Sequence, residues 1–182
     1  MNLAHRIKAI SEIKGKFTLR SGQISNIYFD KYKFESEPSL LNEITKEMAR
    51  LIPAEIEVLC GLEMGGIPIV TILSQHTKLP AAFIRKSPKE HGTCKYAEGA
   101  DISGKRIILV EDVVSSGGAI IDASRMLKRD GINVDLAICV IDRETGGKEK
   151  LAENGIELIS LFKFTDFNKS AQQVIPPEPS AR

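Results

Sequence analysis

Residues 107–119 carry the sequence Ile107-Ile108-Leu109-Val110-Glu111-Asp112-Val113-Val114-Ser115-Ser116-Gly117-Gly118-Ala119. The four apolar residues at its start predict a buried strand, an acidic pair follows, and small residues then lead into a helix. The N–H groups at a helix start are unpaired and lie at the positive end of the helix dipole, so they can bind a phosphate. Gly117 and Gly118 let the backbone approach such an anion without a Cβ in the way. The stretch therefore predicts a strand, a phosphate-binding loop and a helix, in that order.

The acidic pair and the loop suit different parts of a ribose 5-phosphate. The carboxylates of Glu111 and Asp112 can accept hydrogen bonds from two ribose hydroxyls. The phosphate is then expected at Val113, Val114, Ser115, Ser116, Gly117, Gly118 and Ala119. The alternative is an ordinary strand-to-helix turn of an α/β domain. The loop lacks the Gly-Lys-Ser/Thr of a Walker loop and the G-x-G-x-x-G of a dinucleotide site.

Size and composition favour one domain with its own core. The chain has 182 residues and a net charge of +1, which gives no sign of nucleic acid or a membrane as a partner. No apolar run approaches the ~18 residues of a membrane span, and the first residues lack the apolar core of a signal peptide. A cytoplasmic protein is expected. The cysteines at 60, 94 and 139 have no metal-site spacing, and Cys60 and Cys139 are expected as buried packing residues.

The spacing of apolar residues predicts the other elements. An opening helix is expected over 2–13, a short hairpin over 17–30, and a helix from Pro38 to about residue 52. Strands are predicted at 58–62, 81–86, 107–111, 134–141 and 157–163, with helices at 68–76, 118–130 and 147–154. Strands that alternate with helices and are apolar on both faces predict an α/β domain with a central parallel sheet covered on both sides. Residues 87–101 are expected as a long polar loop.

The domain is expected to span residues 1–170. A small N-terminal part would cover about 1–35 and the core about 36–170. The last stretch, 171–182, has three prolines and no periodicity, so a disordered tail is predicted.

Three further motifs fall at the carboxyl ends of predicted strands, where open α/β sheets bind their ligands. Glu63-Met64-Gly65-Gly66 forms a second turn that can receive an anion, or simply a tight strand–helix turn. Arg85, Lys86, Lys89 and His91 form a basic loop that suits either a mobile lid over an anionic leaving group or an ordinary solvated surface. Arg143 can make a planar fork to a carboxylate, or can pair with Asp142, Glu144 or a helix end.

Taken together, the motifs resemble the type I phosphoribosyltransferases. The 107–119 stretch is similar to that family's phosphoribosyl-pyrophosphate (PRPP) signature. The pattern R-K-x-x-K-x-H-G at 85–92 resembles the catalytic loop of the orotate phosphoribosyltransferases in particular. The opening F-T-L-R-S-G-x-x-S-x-x-Y at 17–28 looks like the segment that forms a hood over the base in that group. The resemblance covers about residues 15–165, with the motifs in the family's order.

The resemblance implies a type I fold with an N-terminal hood, transfer of ribose 5-phosphate from PRPP to orotate, and Mg²⁺ as cofactor. It implies a homodimer in which the lid reaches into the partner's site, with small-molecule substrates and neither nucleic acid nor membrane as partner. The implied PRPP contacts are Glu111, Asp112 and residues 113–119, with Met64, Gly65, Arg85, Lys86, Lys89 and His91 at the pyrophosphate. The implied orotate contacts are Arg20, Tyr28, Phe29, Ser115 and Arg143, and the implied catalytic residues are Lys89, His91 and Asp112. No metal ligand of the protein itself is expected.

Two other functions stay open from the residues. A phosphoribosyltransferase for a purine base would share the phosphate loop but would need neither Arg143 nor the basic lid. A non-catalytic regulator that senses PRPP would keep the loop and lose the lid cations. The intact lid and the near-neutral charge favour the orotate enzyme.

Overall fold

The computed structural model describes residues 2–18, 22, 24–87 and 96–168. It opens with helix α1 (Leu3–Ser11), followed by strands β1 (Glu12–Thr18) and β2 (Ile24–Phe29), which pair antiparallel. The hairpin is confirmed. The helix expected to reach residue 13 ends at Ser11, because Glu12 and Ile13 pair with Phe29 and Tyr28 as the start of β1.

A short helix that the sequence did not predict follows the hairpin. Helix α2 (Lys31–Glu35) begins after Asp30, whose side chain accepts a hydrogen bond from the N–H of Tyr32 at 3.1 Å. Phe34 holds it in place, since its side chain is fully buried in the core. Five residues are too short to show a helical period. Helix α3 (Pro38–Ala49) follows, with Pro38 in its first turn as expected.

Six strands form the central sheet: β3 (Val58–Leu62), β4 (Ala81–Ile84), β5 (Ala97–Gly99), β6 (Ile107–Val114), β7 (Leu136–Asp142) and β8 (Glu157–Lys163). Their order is β5-β4-β3-β6-β7-β8. All neighbours are parallel except β5, which runs antiparallel to β4. The predicted parallel sheet is thus confirmed, while the loop expected over 87–101 contains this short edge strand.

Helices cover both faces of the sheet, as predicted. Helices α5 (Gly118–Arg129) and α6 (Gly147–Glu153) pack on the face that carries Cys60, Leu109 and Cys139. Helices α1, α3 and α4 (Gly66–Thr77) pack on the other face, against Leu59, Ile108 and Val140. Cys60 and Cys139 are buried free thiols, as expected, and burial raises both pKa values. Cys94 and residues 171–182 lie outside the described residues.

The strand order places the functional loops at one point of the sheet. From β3 the chain moves outward to β4 and β5, then returns to β6 on the opposite side of β3. Ligands bind at such a switch point, outside the carboxyl ends of the strands. The loops after β3 and β6, at 63–65 and 115–117, are therefore neighbours. No helix within the described ranges is long and apolar enough to cross a membrane.

Candidate active site

Asp112 is the buried centre of the site. Strand β6 was expected to end at the acidic pair, but it continues to Val114, because Val113 and Val114 pair with Ile141 and Asp142 of β7. Both carboxylates therefore lie inside a strand, with Asp112 0% and Glu111 8% exposed. The Val114 side chain is also buried.

An ion pair from the unpredicted helix α2 compensates the charge of Asp112. Lys31 Nζ lies 2.6 Å from Asp112 Oδ2, and the lysine side chain is one-third exposed. Apart from this ion pair, Oδ2 accepts no hydrogen bond from any described residue. Burying a carboxylate costs free energy unless it is paired, so the ion pair with Lys31 offsets the cost of burying Asp112.

Glu35 lies one helical turn after Lys31 and adds a third carboxyl group to the cluster. Its Oε1 is buried and has no hydrogen-bond partner among the residues that the structure describes. Burial, and then the charge of Asp112, raise the pKa of Glu35 to about 9. The same two causes raise the pKa of Glu111 well above its usual value. Burial alone would lower the pKa of Lys31, but its contacts with Asp112 and the charge of Glu111 outweigh that effect and raise it.

The second glycine turn packs directly on Asp112. A Cβ built on Gly65 would overlap the Asp112 carboxylate, and one built on Gly66 would overlap the carbonyl of Val110. The loop after β3 and the acidic pair of β6 are therefore in van der Waals contact. Met64 is exposed beside them. A ligand held by Gly65 would consequently also meet Asp112.

The phosphate loop has the geometry that its glycines predicted. Gly117 adopts φ +71° as the residue before α5, a conformation that a residue with a side chain rarely adopts, and Gly118 begins the helix. Ser115, Ser116 and Ala119 are exposed. Because the loop turns its backbone and hydroxyls outward at a helix N-terminus, it can receive a phosphate.

The loop after β7 supports the phosphate loop from the side. The Thr145 hydroxyl donates to the carbonyl of Ser115 at 3.0 Å, and Gly147 lies so close to that carbonyl that a Cβ would overlap it. The N–H of Arg143 donates to the carbonyl of Val114 at 2.8 Å. Arg143 is therefore fixed at its backbone next to the phosphate loop.

The guanidinium of Arg143 makes none of the ion pairs considered from the sequence. It lies over the ring of Phe164, with 4.9 Å between Cζ and the ring centroid. The Asp142 carboxylate accepts instead from the N–H of Glu144 at 2.9 Å. None of the ion pairs formed between described residues includes Arg143. No other described residue therefore forms an ion pair with its N–H groups, which can meet an incoming carboxylate.

Tyr28 and Phe29 point to opposite faces of β2, as neighbours on a strand must. Phe29 packs on Phe164 and Phe167, with ring centroids 6.4 and 6.0 Å away. Tyr28 packs on Phe17 at 5.4 Å and is nearly half exposed. The structure thus brings Phe29, but not Tyr28, to the aromatic cluster beside Arg143. Arg20 lies outside the described residues.

The base of the basic loop lies beside the Glu63 turn. The N–H of Lys86 donates to Glu63 Oε2 at 3.4 Å, and the N–H of Arg85 donates to the carbonyl of Tyr96 at 3.0 Å. A cavity of about 350 Å³ between Glu63, Phe83 and Arg85 opens here. A larger one, of about 590 Å³, lies between β5 and the end of α5 and includes no residue of either glycine loop. Lys89 and His91 lie outside the described residues.

Sequence reasoning missed Lys31, Glu35 and Phe164. None belongs to a recognised motif, and each reaches the site from an element distant in sequence. The one available signal for Lys31 and Glu35 was their i, i+4 spacing in a segment between two apolar stretches. Within the described ranges no three His, Cys, Asp or Glu side chains form a metal-binding cluster.

Comparison with known proteins decides the family. The family model described as the phosphoribosyl transferase domain matches residues 34–174 of this chain. The chain belongs to the phosphoribosyltransferase family. The resemblance seen in the motifs, and the type I fold it implied, are thereby confirmed.

Several relatives that are 34–49% identical to this chain are named orotate phosphoribosyltransferase. A protein of Nocardioides sp. named orotate phosphoribosyltransferase is 49% identical over 156 residues, which cover 86% of this chain and 87% of that protein. Another of that name from Methanocella arvoryzae is 39% identical and covers 90% of this chain and 94% of its own. The solved structure of the Mycobacterium tuberculosis orotate phosphoribosyltransferase in complex with inorganic phosphate has a TM-score of 0.81, at 25% identity and with 92% of this chain and 96% of that chain covered.

Proposed function

We propose that the chain is an orotate phosphoribosyltransferase, which converts orotate and PRPP to orotidine 5′-monophosphate and pyrophosphate in pyrimidine biosynthesis. The observation that carries the proposal is the grouping at one end of the sheet. The buried Asp112 touches the Gly65 turn, and the phosphate loop is joined to the loop of Arg143. A site for ribose, pyrophosphate, 5′-phosphate and a carboxylate needs that set of neighbours. The names of the relatives support the same base.

Each group of residues has its own part in the proposed reaction. Asp112 and Glu111 accept hydrogen bonds from the ribose hydroxyls, and the backbone and hydroxyls of 113–119 bind the 5′-phosphate. The Gly65 turn and the cations Arg85, Lys86, Lys89 and His91 bind pyrophosphate. Arg143 and Ser115 contact orotate, with Arg20, Tyr28 and Phe29 near the base.

The chemistry is a substitution at the anomeric carbon of ribose. The bond from that carbon to the pyrophosphate oxygen breaks, and its electron pair leaves with pyrophosphate. A ring nitrogen of orotate forms the new bond to the carbon and releases its proton. The transition state carries positive charge on the sugar and growing negative charge on pyrophosphate. Lys89 and His91 stabilise that negative charge, and His91 can also supply a proton to the leaving group. The closed basic loop would keep water away from the sugar carbon.

Mg²⁺ fits this site as a companion of the substrate. Carboxylate, phosphate and ribose oxygens are the ligands that this ion prefers, and it usually retains several waters. The carboxyl oxygens of Asp112 and Glu111 lie where the ribose end of such a complex would bind. When bound, the ion neutralises charge on pyrophosphate.

A homodimer and a cytoplasmic location belong to the same proposal. In a dimer of the family type, the basic loop of one protomer would complete the site of its partner. Sedimentation at the assay concentration would test whether the protein is a dimer. Activity should also fall when dilution dissociates the dimer, because each site would lose the basic loop of its partner.

A purine phosphoribosyltransferase is the second candidate, since it would use the same phosphate loop. The guanidinium of Arg143, which forms no ion pair with another described residue, favours a carboxylated base over a purine. The deciding assay follows orotate absorbance with purified protein, Mg²⁺ and PRPP, with adenine, guanine and hypoxanthine in parallel. Mg-dependent loss of orotate with equimolar pyrophosphate release is expected. Turnover of a purine alone would overturn the proposal, and PRPP binding without turnover of any base would favour the sensing regulator.

A further inference from the structure

Phe164 contacts two different parts of the proposed base site. The guanidinium of Arg143 lies over its ring at 4.9 Å, and Phe29 of the hood meets it in a T-shaped contact at 6.4 Å. Phe164 begins the 3₁₀ helix that follows the last strand, residues 164–168. Phe164 belongs to none of the motifs recognised in the sequence.

The loop that carries Arg143 is tied to the same 3₁₀ helix. Glu144 adopts φ +56°, and its N–H donates to Asp142 Oδ1. Its own carboxylate accepts from the N–H of Thr165 at 2.8 Å. The backbone on both sides of the cation–π contact is therefore linked, which holds Arg143 and Phe164 next to each other.

The contact with Phe164 restrains the guanidinium of Arg143 without forming an ion pair. Arg143 Cζ lies over the ring at 4.9 Å, and a cation–π contact holds the cation by its attraction to the ring face. None of the ion pairs between described residues engages the N–H donors of Arg143. A free arginine side chain samples many rotamers and loses that freedom on binding. A side chain that is already restrained loses less, so it binds the same anion more tightly.

We propose that Phe164 is a positioning residue that determines specificity for a carboxylated pyrimidine. It restrains the Arg143 fork at the place where the carboxylate of the base would bind. The inference rests on the proposed function, because it assumes that Arg143 meets the carboxylate of orotate. Phe164 itself acts through Arg143.

The contribution of the carboxylate to binding can be measured by comparing two nucleotides. Orotidine 5′-monophosphate and uridine 5′-monophosphate differ only in that group, and calorimetry gives the Kd of each without need for turnover. Phe164→Leu removes the ring and keeps an apolar side chain. Phe162→Leu is the matched control, since Phe162 is also half-buried and packs on Phe167, but has no ring contact with Phe29 and no cation–π contact with Arg143 among the described residues.

We expect Phe164→Leu to weaken orotidine 5′-monophosphate binding about 10-fold and to leave uridine 5′-monophosphate unchanged. Phe162→Leu should change neither Kd. Phe164→Tyr keeps the ring and should restore the wild-type ratio. In an Arg143→Ala background, Phe164→Leu should have no further effect on the ratio, because the two residues act as one unit.

Other outcomes separate the failure of the inference from that of the proposed function. An equal loss for both nucleotides, or the same loss in Phe162→Leu, would make Phe164 merely structural and overturn the inference. If Phe164→Leu does not fold, Phe164→Tyr and Phe164→Met are compared instead. If both fold and have the same ratio of Kd values for the two nucleotides, the inference is overturned too. A wild-type protein that neither distinguishes the nucleotides nor consumes orotate would instead overturn the proposed function.

Discussion

Lys31 Nζ and Asp112 Oδ2 form an ion pair of 2.6 Å across the boundary between helix α2 and strand β6. Asp112 is wholly buried, whereas Lys31 is one-third exposed. The pair therefore joins the N-terminal segment to the central strand of the sheet at the proposed ribose site. Removing one member of a buried pair leaves the other charge uncompensated.

Replacement of Lys31 by Met should lower the free energy of unfolding by about 1–3 kcal/mol, between the values for exposed and fully buried pairs. Urea denaturation would measure the change. Lys33→Met is the control, because Lys33 is exposed on the same helix and its loss should change stability by less than about 0.5 kcal/mol. Equal losses in the two variants would show that the ion pair contributes nothing.

Asp112→Asn should weaken PRPP binding about 10-fold or more, because an amide replaces the charged acceptor of a ribose hydroxyl. Calorimetry with PRPP and Mg²⁺ would measure this. Asp122→Asn, on the exposed surface of α5, serves as the control. Unchanged affinity in Asp112→Asn would remove Asp112 from the ribose site.

Gly65→Ala should abolish most activity, with kcat/KM for PRPP reduced about 100-fold, because its Cβ would displace the Asp112 carboxylate. Gly155→Ala is a useful comparison. Its Cβ meets no atom within 4 Å, but its φ of +73° should cost about 1 kcal/mol in stability. A Gly65→Ala enzyme as active as Gly155→Ala would contradict the close contact with Asp112.

In the Glu35→Gln variant, the free energy of unfolding should fall less steeply with rising pH than in the wild type. Burial and the charge of Asp112 raise the pKa of Glu35 to about 9 from 4.5, so the folded protein holds a proton that the unfolded chain releases. The contribution of this proton to the free energy of unfolding is fully present below pH 4.5 and is lost as the pH rises through 9. Because one proton is involved, the free energy of unfolding falls by up to about 1.4 kcal/mol per pH unit.

Denaturation between pH 5 and 9 would compare the slopes of Glu35→Gln and wild type. Glu111, whose pKa is also raised, is present in both proteins and does not affect the difference. Glu55→Gln, at an exposed position, is the control substitution. Identical slopes for wild type and Glu35→Gln would mean that Glu35 is ionised in the folded protein.

Lys89→Ala should lower kcat about 100-fold, if the lysine stabilises charge that develops on pyrophosphate in the transition state. Steady-state kinetics with orotate and PRPP would separate kcat from KM. Lys46→Ala, exposed on α3, should leave both unchanged. A change limited to KM would assign Lys89 to ground-state binding alone.

The sequence predicted elements best where apolar runs were clearly bounded. The spans of β3 and β8 agree with the prediction at both ends, because each run stops at turn residues or polar residues. The end of β6 was wrong for a physical reason. Glu111 and Asp112 look like the polar end of a strand, yet they are buried and Val113 continues the pairing with β7.

The site was predictable where its chemistry lies in continuous motifs. The glycines of the phosphate loop and the Gly65 turn could be recognised because their backbone requirements are local. Lys31 and Phe164 could not be recognised, because their roles arise from contacts across the fold with Asp112 and Arg143. A single sequence does not show which residues that are distant along the chain contact each other in the fold.

Residues 29–31 are a short segment that serves two parts of the site at once. Phe29 packs toward the proposed base pocket, and Lys31, two positions later, neutralises the carboxylate of the sugar pocket. Any attempt to graft a different hood onto this enzyme, in order to accept another base, must therefore join the donor segment before Asp30. A graft that also replaces helix α2 would exchange the counter-ion of Asp112 along with the base contacts.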